Sequence, residues 1–303
     1  MTNRQAYGLL LVVALLWATN YPLAKIALSE LGPITMSALR ALIAAPLLIL
    51  VSRTLEGALP PLQRRDLVAV VVLAVSGFVG NSALWYVGMR ATTPANAGIL
   101  GAASPVAVAL AAALWLRERI SPVNLGGIGL TLLAVVLTVA QGSLHVLLTL
   151  SVNRGDVVIL ISQSLWVVYT LYSRANLSTL SPLQMLAGAH VVAAGLLLPL
   201  ALVERPWQAF AHASWVSFSV VLYTALLGTP AHIAFYHAVR LVGPSRASVF
   251  MNLIPFMVLG LSWLMLGEPI RWYHWVGAIG VIAGVLLTTR PPARYPRRPK
   301  APG

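Results

Sequence analysis

Residues 86–138 recur 150 positions later in the chain. Without a gap, Tyr86–Thr138 lies on Tyr236–Thr288 with fourteen identities, among them Tyr86/Tyr236, Arg90/Arg240, Pro94/Pro244, Pro105/Pro255, Glu118/Glu268 and Gly127/Gly277. Tyr, Arg, Pro and Glu are not the residues that a chain rich in Leu, Ala and Val matches by chance. A second stretch aligns at an offset of 149, pairing Trp17/Trp166, Lys25/Arg174, Ser29/Ser178, Pro33/Pro182, Met36/Met185 and Ala44/Ala193. Repetition on this scale dictates a fold of two like units. They are expected at 1–147 and 150–289, followed by a basic, proline-rich tail at 290–303 with no structure of its own.

Composition says what the units are made of. Apolar residues make up 59% of the chain and charged residues 9%, against about 25% charged in a soluble domain. Apolar runs of about twenty residues recur, each long enough to cross a hydrocarbon core about 30 Å thick. A membrane β-barrel would show short alternating segments instead. The expected fold is an all-α polytopic membrane protein of ten spans, near 6–29, 34–52, 67–89, 95–116, 122–140, 156–173, 182–203, 215–239, 245–266 and 271–289. The first run is expected to be a retained helix rather than a cleaved signal. The sequence holds no cysteine, which excludes a disulfide, a thiolate metal site and a cysteine nucleophile.

Lys and Arg set the orientation. With the N-terminus in the cytoplasm, the inside set is Arg4, Arg53, Arg64, Arg65, Arg117, Arg119, Arg174, Arg240, Arg246, Arg290, Arg294, Arg297, Arg298 and Lys300. The outside set is Arg90, Arg154, Arg205 and Arg271, with Lys25 and Arg40 inside span ends. Both termini are therefore expected in the cytoplasm. The net charge of +13 is read as attraction to anionic lipid headgroups, not to nucleic acid. Five spans per half is an odd number, so the second half enters the membrane inverted. Inverted repeats are the architecture of many secondary transporters, in which the halves exchange conformations about a site near the midplane.

The first helix, LLWATNYPLAK with Trp17, Asn20 and Lys25, resembles the drug/metabolite transporter superfamily, EamA type. So do the helix-end segments around Glu118–Gly127 and Glu268–Gly277, each followed by a Gly-rich span. The resemblance covers 6–289 and implies ten spans in two inverted halves in a cell (inner) membrane. The many Trp and Tyr residues in the spans are similar to those of the aromatic amino acid exporters like YddG, which implies export of aromatic or large neutral amino acids.

Periodicity picks out the candidate binding residues. Trp17, Tyr21 and Lys25 form one stripe of the first span, and Gln163, Trp166, Thr170 and Arg174 form the matching stripe of the sixth. The third span offers Phe78, Asn81, Ser82, Trp85 and Tyr86. The eighth offers His232, Phe235 and Tyr236, and the ninth Phe250 and Asn252. Polar side chains here face protein or a wet cavity, because lipid rejects them. The competing reading is structural: Trp17 and Trp166 pack, Asn81 bonds a neighbouring helix, and His232 is a satisfied core histidine. Lys25 and Arg174 are expected to snorkel to the interface, with a gate or carboxylate anchor as the alternative. Pro105 and Pro255 are the candidate hinges, each leaving the carbonyl four residues earlier, at Gly101 or Met251, without its helical donor. Gly280, Gly284 and the glycines at 126, 127 and 129 allow close helix packing. That packing is expected inside a monomer, with a dimer as the alternative.

The seven carboxylates fall in loops or at span ends, so neither paired acids over a metal nor an HExxH run is present. No catalytic residue, metal or cofactor is expected, and a receptor, scaffold or intramembrane enzyme is the weaker reading. Only histidine, lysine or tyrosine could titrate near a path, which favours a facilitator. Phosphorylated substrates would call for several mid-span cations, and none is expected there. The partners expected are the bilayer and a small amphipathic substrate, most simply an aromatic or large neutral amino acid. An uncharged or cationic metabolite or drug is the alternative.

Overall fold

The computed structural model describes residues 3–57, 61, 63–115, 121–149, 151–174 and 179–289. Glu118, the helix-end residues around it and the tail 290–303 lie outside the described residues. The described chain is helical. Among the described residues, nine helices are long and apolar enough to cross a membrane: Arg4–Ala27, Pro33–Glu56, Arg64–Ala91, Pro94–Ala111, Pro122–Val139, Arg154–Ser173, Pro182–Glu204, Trp215–Val242 and Val249–Leu266. A tenth, Trp272–Thr288, is slightly shorter. They are called the first to tenth spans.

Proline and hydroxyl residues set where the spans begin. Pro33, Pro94, Pro122 and Pro182 occupy the first turn of their helices, where a missing N–H costs nothing. Thr93, Ser121, Ser181 and Ser214 cap the helices that follow them with their side-chain oxygens. The repeat Pro33/Pro182 is thus a repeated helix start.

Packing between the spans follows the repeat. The second span lies along the seventh and the fifth along the tenth, each pairing a helix with its own equivalent. The first packs on the eighth as the sixth packs on the third, and the first on the ninth as the sixth on the fourth. Glycine permits the closest of these contacts: a Cβ on Gly127 of the fifth span would stand 2.6 Å from the Gly284 carbonyl of the tenth. Gly127, Gly280 and Gly284 therefore pack inside the bundle, whereas Gly126 and Gly129 border open space. Outside, Leu114, Leu133, Trp215 and Leu264 are among many exposed apolar side chains, as a lipid-facing surface requires.

Four spans depart from α-helix within their length, which sequence periodicity does not reveal. The third is a π-helix over Ala74–Ser82, and the eighth over Thr224–Gly228. Ala74 and Thr224 are equivalent residues. The fourth breaks at Ala103, between helices Pro94–Ala102 and Ser104–Trp115. The ninth breaks at Asn252 and Leu253, between Pro244–Met251 and Ile254–Leu266. Both breaks come just before the paired prolines 105 and 255.

Every described carboxylate reaches from its own half to the other. Glu30 accepts from the Ser214 amide and hydroxyl and from Ser217 Oγ at 2.6–2.8 Å; these bonds hold its carboxyl below the ordinary range. Asp66 accepts from the Thr179 amide and hydroxyl at 2.7 and 2.8 Å. Glu204 accepts from the Ile34 and Thr35 amides at 3.0 and 2.7 Å. Glu56 accepts from Ser181 Oγ, Asp156 from Thr92 and Asn96, and Glu268 from the Ala95 amide. Anions at helix N-termini satisfy free N–H groups and the helix dipole together. Glu30 and Thr179 are paired at the offset of 149, and their partners Ser214 and Asp66 lie at the starts of the eighth and third spans, so the acid sits on opposite sides of the two links. Reporter fusions at Pro61 and after Gly303 are expected to read cytoplasm and a fusion at Leu147 the outside. A cytoplasmic reading at Leu147 would contradict the inverted arrangement.

Candidate functional site

The two π-helices lie where the first and sixth spans cross them. Trp17 Nε1 donates to the Gly228 carbonyl at 3.2 Å, and its ring meets His232 at 4.7 Å and Phe235 at 5.5 Å. The counterpart on the other half is Phe78, the residue equivalent to Gly228. Its ring meets Tyr169 at 6.0 Å and His190 at 4.1 Å, and Tyr169 stacks on Trp166 at 4.9 Å. Gly77 makes this approach feasible, since a Cβ there would stand 2.6 Å from the Tyr169 ring.

Arg40 occupies the space between the two ring groups. Its Nη1 donates to Ser82 Oγ at 3.3 Å and its Nε to Thr229 Oγ1 at 3.5 Å. Both His190 and His232 have Arg40 as an electrostatic neighbour. Rings and charge thus run from Trp17 to Trp166 across both halves. This corrects the expectation that mid-span cations are missing. Arg40 was counted with a span end, yet it lies about 10 Å along the second span from Pro33 at 1.5 Å per residue.

A second group adjoins the first through Tyr21, one turn beyond Trp17. Tyr21 meets Trp85 edge-on at 5.2 Å, and Trp85 meets Tyr86 at 5.1 Å. A Cβ on Gly101 would stand 2.9 Å from the Tyr21 hydroxyl. At the break of the fourth span, Ser104 Oγ donates to the Gly101 carbonyl at 2.6 Å and stands 2.6 Å from the side-chain amide of Gln163. The expectation of an unpaired carbonyl at Gly101 is therefore corrected: the residue just before Pro105 supplies a donor.

Other expected residues fall elsewhere. Asn81 Nδ2 donates to the Ser162 carbonyl at 2.8 Å, bonding the third span to the sixth. Tyr86 is fully buried and its hydroxyl has no partner. Phe250 stacks on Tyr7 at 5.7 Å, in a cluster with Ala6 and Leu10 near the start of the first span. Thr170 and Asn252 are half-buried. Nothing is described of the side chains of Tyr236 and Arg174. Pro105 is exposed and Pro255 buried, each beside its helix break. Arg40, Ser104 and His190 were missed as site residues. For His190 the signal was available: a histidine inside the seventh span, one position from the equivalent of Arg40.

Lys25 corrects the snorkelling expectation. Its Nζ donates to the carbonyls of Met89, Arg90 and Thr92 at 3.0, 3.0 and 2.6 Å, closing the end of the third span. Close by, Asp156 is fully buried against Thr92 and Asn96, and His274 Nε2 lies 3.1 Å from Asn96 Oδ1. Burial pushes the Glu268 carboxyl up, and the nearby Thr93, the Ala95 amide and the Lys25 charge offset part of the rise. These groups surround a cavity of about 180 Å³ lined by Thr93, Asn96, Gln141, Glu268, Arg271 and His274, among others. A polar network joining both halves therefore spans the Lys25 end of the bundle. Asp156→Asn removes the charge that engages Thr92 and Asn96. A cysteine placed at Ser104 is expected to react with a polar maleimide about tenfold faster in that variant, as a loss of 1.4 kcal/mol of closure would give. An unchanged rate would mean the network is not a closure.

Comparison with known proteins agrees with this architecture. The EamA-like transporter family matches residues 4–140 and again 153–290. The chain is 26% identical over 297 residues to the uncharacterized transporter YyaM of Bacillus subtilis (strain 168), covering 95% of each chain. It is 29% identical over 295 residues to an uncharacterized transporter of Archaeoglobus fulgidus, covering 95% of this chain and 98% of that one. It is 28% identical over 303 residues to the uncharacterized inner membrane transporter YedA of Escherichia coli (strain K12), covering 97% and 93%. A solved crystal structure superposes with a TM-score of 0.62 at 19% identity, covering 95% of this chain and 98% of that one, and so shares the fold. Two family matches, one per half, and transporter relatives along the whole length make this chain a multi-pass membrane transporter of the EamA-like family.

Proposed function

We propose that the chain moves small amphipathic metabolites with an aromatic body, aromatic and large neutral amino acids first, by alternating access around the space between Trp17 and Trp166. Resemblance to the YddG-like exporters gives export as the direction. The observation that carries the reading is the row of rings from Trp17 to Trp166, set across the boundary between two equivalent halves. An aromatic solute entering it gains apolar burial, plus roughly 0.5–1.5 kcal/mol for each well-oriented ring pair. The carboxylate links at the Lys25 end and the Asp66–Thr179 and Glu56–Ser181 links at the opposite end join the same two halves. Both sets are formed here, and breaking one while the other holds would open the site to one side at a time. Monomeric function is consistent with the internal packing of Gly127, Gly280 and Gly284.

The test is tryptophan counterflow in proteoliposomes. Trp17→Ala or Trp166→Ala is expected to weaken transport about tenfold or more, since 1.4 kcal/mol is a factor of ten, and Trp→Phe less because a ring remains. Rates are taken per folded protein, judged by monodisperse elution, because truncating a core Trp can cost about 3–5 kcal/mol. Parental transport in both well-folded Ala variants would mean that the rings only pack. Counterflow is expected to continue when a protonophore collapses the pH gradient. Its loss, restored by no gradient other than protons, would make the protein a proton-coupled carrier.

A further inference from the structure

Among the described residues, Arg40 is a cation inside the bundle that no acid meets. Each described carboxylate is engaged elsewhere at a helix start, and none is a partner of Arg40. A guanidinium carries five N–H donors in a planar fork. Here two of its nitrogens reach hydroxyls at 3.3 and 3.5 Å, both longer than the usual N–H···O range. A hydroxyl cannot neutralise the charge, and an unpaired charge inside a membrane protein is costly to keep. What surrounds Arg40 is built from both halves: Ser82 ends the third-span π-helix, and Thr229 follows the eighth-span π-helix directly. His190, an electrostatic neighbour of Arg40, is 1% exposed, and its Nε2 has no hydrogen-bond partner.

We propose that Arg40 is the anchor for a single carboxylate on the transported molecule, taken in the bidentate geometry that a guanidinium fork matches. The rings described above then receive the apolar body of the same molecule. The substrate class is an apolar or aromatic monocarboxylate, amino acids included. One cation balances one negative charge, so a dianionic phosphate ester is left underpaired. A bare amine meets repulsion. The proposal rests on the transporter reading but not on the aromatic body of the substrate.

The experiment uses the purified full chain in detergent and matched probes: L-tryptophan, L-tryptophanamide, tryptamine, L-leucine and L-leucinamide. Apparent affinity is read from ligand-dependent melting temperature. At least one acid is expected to bind about tenfold or more tightly than its amide, the scale of one charge-assisted bidentate pair. Arg40→Gln is expected to erase that preference by weakening the acid, and Arg40→Lys to keep only part of it. If Arg40→Gln does not fold, Arg40→Lys decides, because a point charge without the fork must weaken the acid. Equal binding of acid and amide, tryptamine matching tryptophan, a full preference in either folded variant, or no acid binding at all overturns the proposal. Leucine binding through Arg40 without tryptophan binding would sustain it and contradict the aromatic reading. Tryptamine matching tryptophan would do the reverse.

Discussion

Within hydrocarbon there is no water to satisfy a polar group, so each such group must find its partner inside the protein. The arrangement of the carboxylates follows from this. Glu30, Asp66 and Glu204 accept from backbone N–H groups at helix starts of the opposite half. Capping an N-terminus stabilises an anion without a buried ion pair and its desolvation cost. The interactions that finish the helices are thus the same ones that hold the two halves together. A movement of one half against the other must break helix caps, and water at the opened end can replace them.

The site lies where the helices depart from regular geometry. A π-helix leaves one residue more per turn and is frequent at functional positions. Here it occurs at equivalent places in both halves, next to Trp17 and next to Tyr169. The third-span π-helix also carries Gly77, which admits the Tyr169 ring. The breaks before Pro105 and Pro255 provide equivalent places where the fourth and ninth spans can bend, and Ser104 supplies a donor to the Gly101 carbonyl at one of them. Local irregularity, repeated by the internal symmetry, brings Arg40 to both π-helices and rings to each of them.

Much of this was legible in the sequence. The offset of 150 carried the two halves, and Pro33/Pro182 and Pro94/Pro244 carried helix starts. The stripe of the first span held Trp17, which meets a π-helix; on the sixth span Tyr169 does so, beside Trp166 and outside the stripe. The misses have physical causes. A π-helix has no apolar period that distinguishes it from the α-helix around it, so both passed unseen. Lys25 and Arg40 looked alike, each a cation near a span end. Which of them reaches carbonyls and which reaches the middle depends on the neighbouring spans, and one helix does not encode that. Ser104 hid beside Pro105 because the donor to a proline-freed carbonyl is set by local geometry rather than by spacing.

The central claim is that the two halves move against each other around the space holding Arg40 and the rings. The absence of cysteine in the sequence makes double spin labelling direct. One pair, at Ser29 and Ala211, reports the Lys25 end; another, at Thr54 and Leu241, reports the opposite end. Distance distributions from pulsed electron resonance, with and without L-tryptophan, test the claim. It predicts that one pair lengthens as the other shortens. Distances that stay fixed at both ends while transport proceeds, or that change in the same sense at both, would contradict it.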